Sequence, residues 1–282
     1  MSALAIRQRM PDALAVAMDW ASREGWNPGR DDAPCFAAAD PSGFFLGEIG
    51  AAPVATISVV KYGRAFAFLG LYIVAPGFRG QGHGLSIWQA ALAGAAGRNV
   101  GLDGVVAQQE NYRRSGFRLA YRNIRYRGRA PRASAVGSSD IVDAATVPFA
   151  ALAAYDALHF SVERPAFLRA WIAQPHARAL VARSDGKIAG FGMIRPAHAG
   201  YKIGPLFADD ARQAEALFVA LCTAAGPGQD VYLDVPEPNA AGVELARRHA
   251  MAPAFETARM YTGPAPPVPL HNVYGVTTFE LG

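Results

Sequence analysis

Phe66-Ala67-Phe68-Leu69-Gly70-Leu71-Tyr72-Ile73-Val74 leads through Ala75-Pro76-Gly77-Phe78 into Arg79-Gly80-Gln81-Gly82-His83-Gly84, and then into Leu85-Ser86-Ile87-Trp88-Gln89-Ala90-Ala91-Leu92. The first run is apolar and strand-like, and the last has the pattern of an amphipathic helix. A glycine-rich bend that delivers a strand into a helix start exposes several backbone N–H groups together. Those donors have no intrahelical partner and carry the positive end of the helix dipole. They suit a phosphate or pyrophosphate. The glycines clear the approach, and Arg79 adds a permanent positive charge.

Outward from this stretch, 282 residues suit two domains of ordinary size or one large one, and 51% hydrophobic content provides a sizeable core. The formal charge is +4, and only Lys61, Lys187 and Lys202 are lysines. Abundant arginine beside heavy alanine usage reads as a compositional bias, so no nucleic-acid partner is expected. The densest basic run, residues 118–132, reads as a solvated strand face entering a linker, with a contact to a cofactor phosphate, an anionic partner or nucleic acid as the alternative. Cys35 and Cys222 read as two reduced, buried thiols, which fits a cytoplasmic protein. Arg7, Arg9 and Asp12 interrupt any signal-peptide core, and no window approaches a bilayer span. The six histidines lack metal-type spacing, so no metal is expected.

The chain divides into two halves with one plan. In the first, residues 11–24 are helical in pattern, and residues 44–49 and 54–60 form a hairpin. The strand, loop and helix already quoted follow, then strands near residues 104–106 and 117–126. Residues 129–137 read as a linker between domains at 1–128 and 138–282. The second half repeats the order: strand 141–144, helix 148–160, hairpin 178–182 with 188–194, strand 201–207, helix 211–224, strand 230–235, helix 239–249, and strands 255–261 and 276–281. The stretch 261–282 is long enough for an extended arm that reaches across.

The glycine loop resembles the acyl-CoA pyrophosphate loop of the GNAT acetyltransferase superfamily, R/Q-x-x-G-x-G/A, with Arg79, Gly82 and Gly84 at the matching positions. Val74, Pro76 and Arg79 match its V-x-P-x-x-R approach. The dinucleotide fingerprint fits less well, because Leu85 stands where its third glycine belongs. The resemblance implies an α/β fold: two tandem GNAT-like domains, each a mixed, mostly antiparallel central sheet flanked by helices. It also implies acetyl-CoA as co-substrate and acetyl transfer to a primary amine of a small molecule or peptide, in a monomer or homodimer. The cofactor-binding residues it implies are Ile73, Val74, Arg79, Gly80, Gln81, Gly82, His83, Gly84, Leu85 and Asn111, with His83 also readable as a turn filler.

Asn111-Tyr112-Arg113-Arg114-Ser115-Gly116-Phe117 resembles the family's Y-x-x-x-G-F, whose tyrosine lies near the CoA sulfur. Tyr112 is then the acid that protonates the departing thiolate. The resemblance also implies that backbone N–H groups at Ile73, Val74 or a neighbour hold the oxyanion. The central strand carries no acid, leaving Glu48, Asp103, Glu24 and Glu110 as candidate bases, with Glu48 first. Glu24 and Trp26 follow the first helix, where the family builds its acceptor wall. In the second half, Asp209 and Asp210 replace the glycine loop and read as helix caps, since like charges would repel a pyrophosphate. Asn239 and Gly242 match a later family motif, but Ala246, Ala250 and Met251 replace its tyrosine, glycine and phenylalanine. That half reads as the fold without its chemistry. A non-catalytic acyl-CoA-binding module, or an acceptor site shared by both halves, are the rival readings.

Overall fold

The computed structural model describes residues 4–131 and 140–282. Most of the expected linker lies outside the described residues. The first half contains β1 (Ala5–Gln8), α1 (Asp12–Arg23), α2 (Asp32–Ala39), β2 (Phe44–Ile49), β3 (Ala52–Tyr62), β4 (Phe66–Val74), α3 (His83–Gly94), β5 (Asn99–Val105), α4 (Gln109–Arg114) and β6 (Arg118–Arg129). The second contains β7 (Asp140–Asp143), α5 (Phe149–Phe160), α6 (Pro165–Ile172), β8 (Arg178–Ser184), β9 (Lys187–Pro196), β10 (Tyr201–Ala208), α7 (Ala211–Ala225), β11 (Asp230–Pro236), α8 (Ala240–Arg248) and β12 (Ala252–Tyr261), then β13 (Val273–Gly275). Strand for strand and helix for helix, the order to β12 repeats that to β6. The short β1 and α2 escape the sequence pattern. α2, Asp-Ala-Pro-Cys-Phe-Ala-Ala-Ala, starts with proline in its first turn, where the missing N–H costs nothing, but alternates no polar face.

The strands form one sheet ordered β1-β2-β3-β4-β5-β12-β6-β11-β10-β9-β8-β7, with β13 against β10. Its neighbours are antiparallel except β4/β5 and β10/β11. The last strand of each half completes the other half's sheet. β12 pairs with β5 from Thr257↔Val105 to Tyr261↔Gly101, and β6 pairs with β11 from Asp230↔Arg129 to Pro236↔Asn123. The two exchanged strands also pair with each other. Sheet edges at β5 and β11 are thereby covered. Two halves that read as separate in sequence are interlocked in space.

One face of the sheet carries a core common to both halves, in which Leu14 and Phe36 pack with Phe167, Trp171 and Phe207. The other face carries two separate cores, one under α3 with Ile87 and Trp88, one under α7 and α8 with Leu217 and Leu245. Cys35 and Cys222 are buried, and burial pushes their thiols up to about 11 and about 12, so both stay protonated at neutral pH. The expected strand at 276–281 is absent: pairing is confined to β13. Residues 276–282 are buried irregular chain that crosses to the first half, where Tyr62 Oη donates to the Leu281 carbonyl at 3.0 Å.

Buried ion pairs join the halves. Arg125 of β6 grips Asp234 of β11 at 2.7 and 2.8 Å, and Arg195 of β9 grips Asp32 of α2 at 2.7 and 3.2 Å. Arg259 of β12 grips Asp103 of β5 at 2.8 and 2.6 Å. Burial alone would raise the Asp234 carboxyl, but the Arg125 guanidinium overrides it and holds Asp234 below the usual carboxylate value. The basic run is thus mixed. Arg122, Arg127 and Arg129 lie on an ion-paired, solvated face, whereas Arg125 is buried.

Asp234→Asn leaves the Arg125 charge buried without its partner. It is expected to cost about 3–5 kcal/mol, or roughly 10 °C in Tm, read by thermal unfolding. Lys202 is buried too, and its ammonium has no hydrogen-bond partner among the described residues. Burial, with Arg125 adding, pushes its pKa from the ordinary 10.5 down to about 8. Between those values the folded state binds fewer protons than the unfolded one, so this group makes stability rise with pH across that window. Denaturant unfolding from pH 8 to 10.5 should show that rise in the wild type and a smaller one in Lys202→Met.

Candidate active site

β4 stays beside β5 only from Phe66↔Asn99 to Leu69↔Leu102, and beyond Leu69 the two strands part. Against β3 the register of β4 shifts between Thr56↔Ile73 and Ser58↔Gly70, a bulge with Leu71 at φ 49°. A branched side chain in that region costs of order 1–3 kcal/mol. The Thr56 hydroxyl helps to hold the bulge by donating to the Leu71 carbonyl at 2.9 Å. The parting strands open a cavity of about 970 Å³, with β4 from Leu69 to Val74 on one wall and Asp103, Gly104 and Val105 of β5 on the other.

The glycine loop forms one end of this cavity. Gly80 and Gly82 have φ of 76° and 85°, so side chains there would be strained. Gly82 is the residue before α3, and the N–H groups of the first turn of α3 point out of the helix. At Gly84 a Cβ would lie 2.5 Å from Tyr72 Oη and 3.1 Å from Val74 Cγ2, so only glycine lets α3 sit this close to β4. Arg79 Nε donates to the Val74 carbonyl at 2.9 Å, and its guanidinium pairs with Glu24. Ile73, Val74, Arg79, Gly80, Gly82, Gly84, Leu85, Asn111, Tyr112, Glu24 and Trp26 all border this one space. Gln81 and His83 do not. Gln81 instead donates to the Gly77 carbonyl at 3.0 Å, and His83 packs edge-on to Phe78. The wide groove, the strand edge of β4 and the glycines at Gly80, Gly82 and Gly84 around the helix start fit an extended acyl-CoA.

Tyr112 lies deep in the wedge, stacked on Trp88 with ring centroids 5.4 Å apart. Its ring occupies the place a side chain at residue 104 would take: a Cβ on Gly104 would lie 2.1 Å from Tyr112 Cε2. Burial, with Tyr72 nearby, pushes the phenol above its ordinary 10.0, so it stays protonated and can donate at neutral pH. Asn111 at the rim donates to Gln108 at 2.6 Å.

Among the carboxylates, geometry does not favour Glu48. It sits on β2, 3.5 Å from Arg9, and is not part of the cavity wall, because β3 separates its strand from β4. Glu110 is likewise outside, on the exposed turn of α4 beside Arg113. Asp103 borders the cavity but is held by Arg259 and by Asn123 at 2.8 Å. The end of the cavity away from the loop is walled by residues that sequence reasoning missed: Phe255 and Thr257 of β12, and Phe279 and Glu280 of the final segment. They join Trp26, whose carbonyl accepts from Arg125 Nη1 at 2.7 Å. No local motif marks them, since strand exchange brings β12 here.

The second half treats the equivalent wedge differently. β10 and β11 pair from Tyr201↔Val231 to Ile203↔Leu233 and then part, but β13 lies in the gap, pairing Leu206↔Gly275 and Phe207↔Val273 with β10. Val276 N–H donates to the Asp234 carbonyl of β11 at 2.9 Å. Asn239 caps α8 by accepting from Gly242 N–H at 3.0 Å, and its amide holds the inserted segment at the His271 and Val273 carbonyls, 3.2 and 2.9 Å away. Asp210 caps α7 as expected, accepting from Gln213 N–H at 2.8 Å. Asp209 is not a cap in this way, and instead accepts from the Tyr155 hydroxyl at 2.8 Å. Among the described residues there is no cluster of three or more potential metal ligands, and no helix is long and apolar enough to cross a membrane.

Family models match both halves: an acetyltransferase (GNAT) family model at residues 12–117 and an acetyltransferase (GNAT) domain model at residues 152–275. A holothin acyltransferase from Pseudoalteromonas sp. (strain SANK 73390) is 31% identical over 95% of this chain and 90% of its own. A crystal structure from Pyrococcus horikoshii, described as a candidate acetyltransferase, superposes with TM-score 0.85 at 22% identity, covering 100% of this chain and 97% of that one. A tandem GNAT protein from the clavulanic acid biosynthesis pathway gives 0.64 at 13% identity, over 93% and 100%. The first of these relatives shares sequence across nearly the whole chain, and the structures share its doubled fold. The chain belongs to the GNAT family as a tandem two-domain acyltransferase.

Proposed function

We propose that this acyltransferase moves the acetyl group of acetyl-CoA to an amine of a small molecule or peptide, and that the first half does the chemistry. The observation that carries the reading is the meeting, in one cavity, of the glycine loop at one end and the protonated Tyr112 in the wedge. The N–H groups at the start of α3 and the loop glycines suit the pyrophosphate, and the guanidinium of Arg79, shared with Glu24, adds charge at the rim. The edge of β4 from Gly70 to Val74, no longer paired with β5, faces the cavity and suits an acyl-pantetheine arm, with N–H groups at the bulge suited to an oxyanion. Tyr112 gives its proton to the sulfur as the thioester breaks.

Trp26, Phe255 and Phe279 make an aromatic wall at the acceptor end, which favours a compact acceptor with a flat apolar body. Holothin is the first acceptor to try, because the relative sharing 31% identity is named for it. The two protonated thiols suit a cytoplasmic setting.

Tyr112→Phe should lower kcat/KM by about 10²–10⁴-fold while acetyl-CoA affinity changes less than twofold or so, read by thiol release and calorimetry. Equal turnover would remove Tyr112 from the mechanism. Calorimetry on the wild type should give one acetyl-CoA per chain, because β13 fills the second groove. Two equivalent sites would contradict that assignment.

A further inference from the structure

Acetyl transfer to an alkylamine needs a base, and β4 supplies none. Among the described residues, three carboxylates border the cavity: Glu24, Asp103 and Glu280. Glu24 is engaged by Arg79, and Asp103 by Arg259 and Asn123. Glu280 is 3% exposed and has no ion pair among the described residues, its carboxylate accepting only from the Thr278 hydroxyl.

The fold takes trouble to seat it. After β13 the chain is pinned by Val276 on β11, by Arg164 Nη2 to the Thr277 hydroxyl at 2.7 Å, and by Tyr62 at Leu281. At β4 the main chain of Glu280 fits against Gly70, where a Cβ would lie 2.1 Å from the Glu280 carbonyl oxygen. Gly70 directly precedes the bulge at Leu71. The segment from the second half therefore presents Glu280 where β4 leaves β5, beside the aromatic acceptor wall.

We propose that Glu280 is the base that takes a proton from the acceptor's ammonium group, an assignment that rests on the acyl-transfer reading above. The acceptor enters as R–NH₃⁺ and gives one proton to the Glu280 carboxylate. The nitrogen lone pair then bonds to the thioester carbonyl carbon, whose π pair moves to oxygen. As that pair returns, the carbon–sulfur bond breaks; sulfur keeps the bonding electrons and takes the Tyr112 proton. The surplus proton on nitrogen restores Tyr112 through water, and Glu280 releases its own to solvent. The sum is R–NH₃⁺ plus acyl thioester giving amide, thiol and one proton.

The charged groups around Glu280 come from several elements. Glu280 acts electrostatically on Lys202 of β10 and on Arg125 of β6, the latter already paired with Asp234 of β11. Asp103, which borders the cavity, is paired with Arg259. Lys202 titrates near 8, so its contribution has to be separated from that of the base.

The test is Glu280→Gln assayed with an alkylamine acceptor between pH 6 and 9. At pH 7 kcat/KM should fall at least about 10²-fold, with acetyl-CoA affinity within about twofold. The deficit should shrink by up to roughly tenfold per pH unit, since the variant depends on acceptor that is already neutral. The same trend should persist in a Lys202→Met background. Glu280→Asp, which keeps a carboxylate, should retain the wild-type pH profile and exceed the Gln variant in rate, and it serves if the Gln variant fails to fold. A Gln variant with more than about a third of wild-type activity, or a deficit constant with pH, overturns the proposal. So does an Asp variant with the profile expected of Gln. Wild-type protein that binds acetyl-CoA but acylates no amine overturns the acyl-transfer reading itself, a different result.

Discussion

The pairing of Asp32, Asp103 and Asp234 with Arg195, Arg259 and Arg125 is the constraint on which the molecule turns. Each pair is buried, and each draws one partner from either half. A carboxylate or guanidinium left alone in such a place is far costlier than the pair is beneficial, so neither half can close its interior by itself. Exchange of β6 and β12 is the topological form of that dependence, because those two strands carry Arg125 and Arg259 across. Arg125 does more than neutralise Asp234. Its guanidinium lies 4.8 Å from the Phe279 ring centroid and 5.8 Å from that of Phe255, and it holds the Trp26 carbonyl. This aromatic wall of the cavity is assembled around one cation.

What the sequence disclosed was local. Alternation and turn glycines marked the hairpins, and the run from Phe66 to Leu92 announced a strand, a glycine turn and a helix because each depends on neighbours in the chain. The repeat of the element order was legible for the same reason, as was the contrast between the glycine loop and Asp209-Asp210. Tyr112 was legible through its spacing to Gly116 and Phe117. Pairings between residues more than a hundred positions apart leave no such mark. Arg125 looks like any other arginine on a basic strand until Asp234 is seen beside it. Glu48 is a reasonable acid on a strand near β4, yet only the sheet order reveals that β3 stands between them. Glu280 hides in a segment whose apolar pattern suggested a strand; burial on all sides, not alternation, produced that pattern.

The halves also show how one scaffold can be used in two ways. Both open a wedge where a parallel strand pair parts. In the first, the wedge is kept clear and lined by Tyr112 and the edge of β4. In the second, β13 completes the hydrogen bonding of β10, and Asn239, which resembles the family motif at that position, anchors the filler. A buried strand edge without partners is unfavourable, so a wedge that receives no ligand is better stabilised by the chain's own backbone. The filling strand is then free to continue toward β4, carrying Phe279 and Glu280 with it.

The interlocked sheet has a mechanical consequence. Two-lobed enzymes commonly admit their substrates by swinging lobes apart about a linker. Here such a swing would have to unzip β12 from β5 and β6 from β11 while drawing buried charges apart. That path would break two strand pairings and the buried ion pairs together, which leaves the rim as the less costly place to admit a substrate. There stand the exposed Leu85 and the Arg79–Glu24 contact, both reached by solvent.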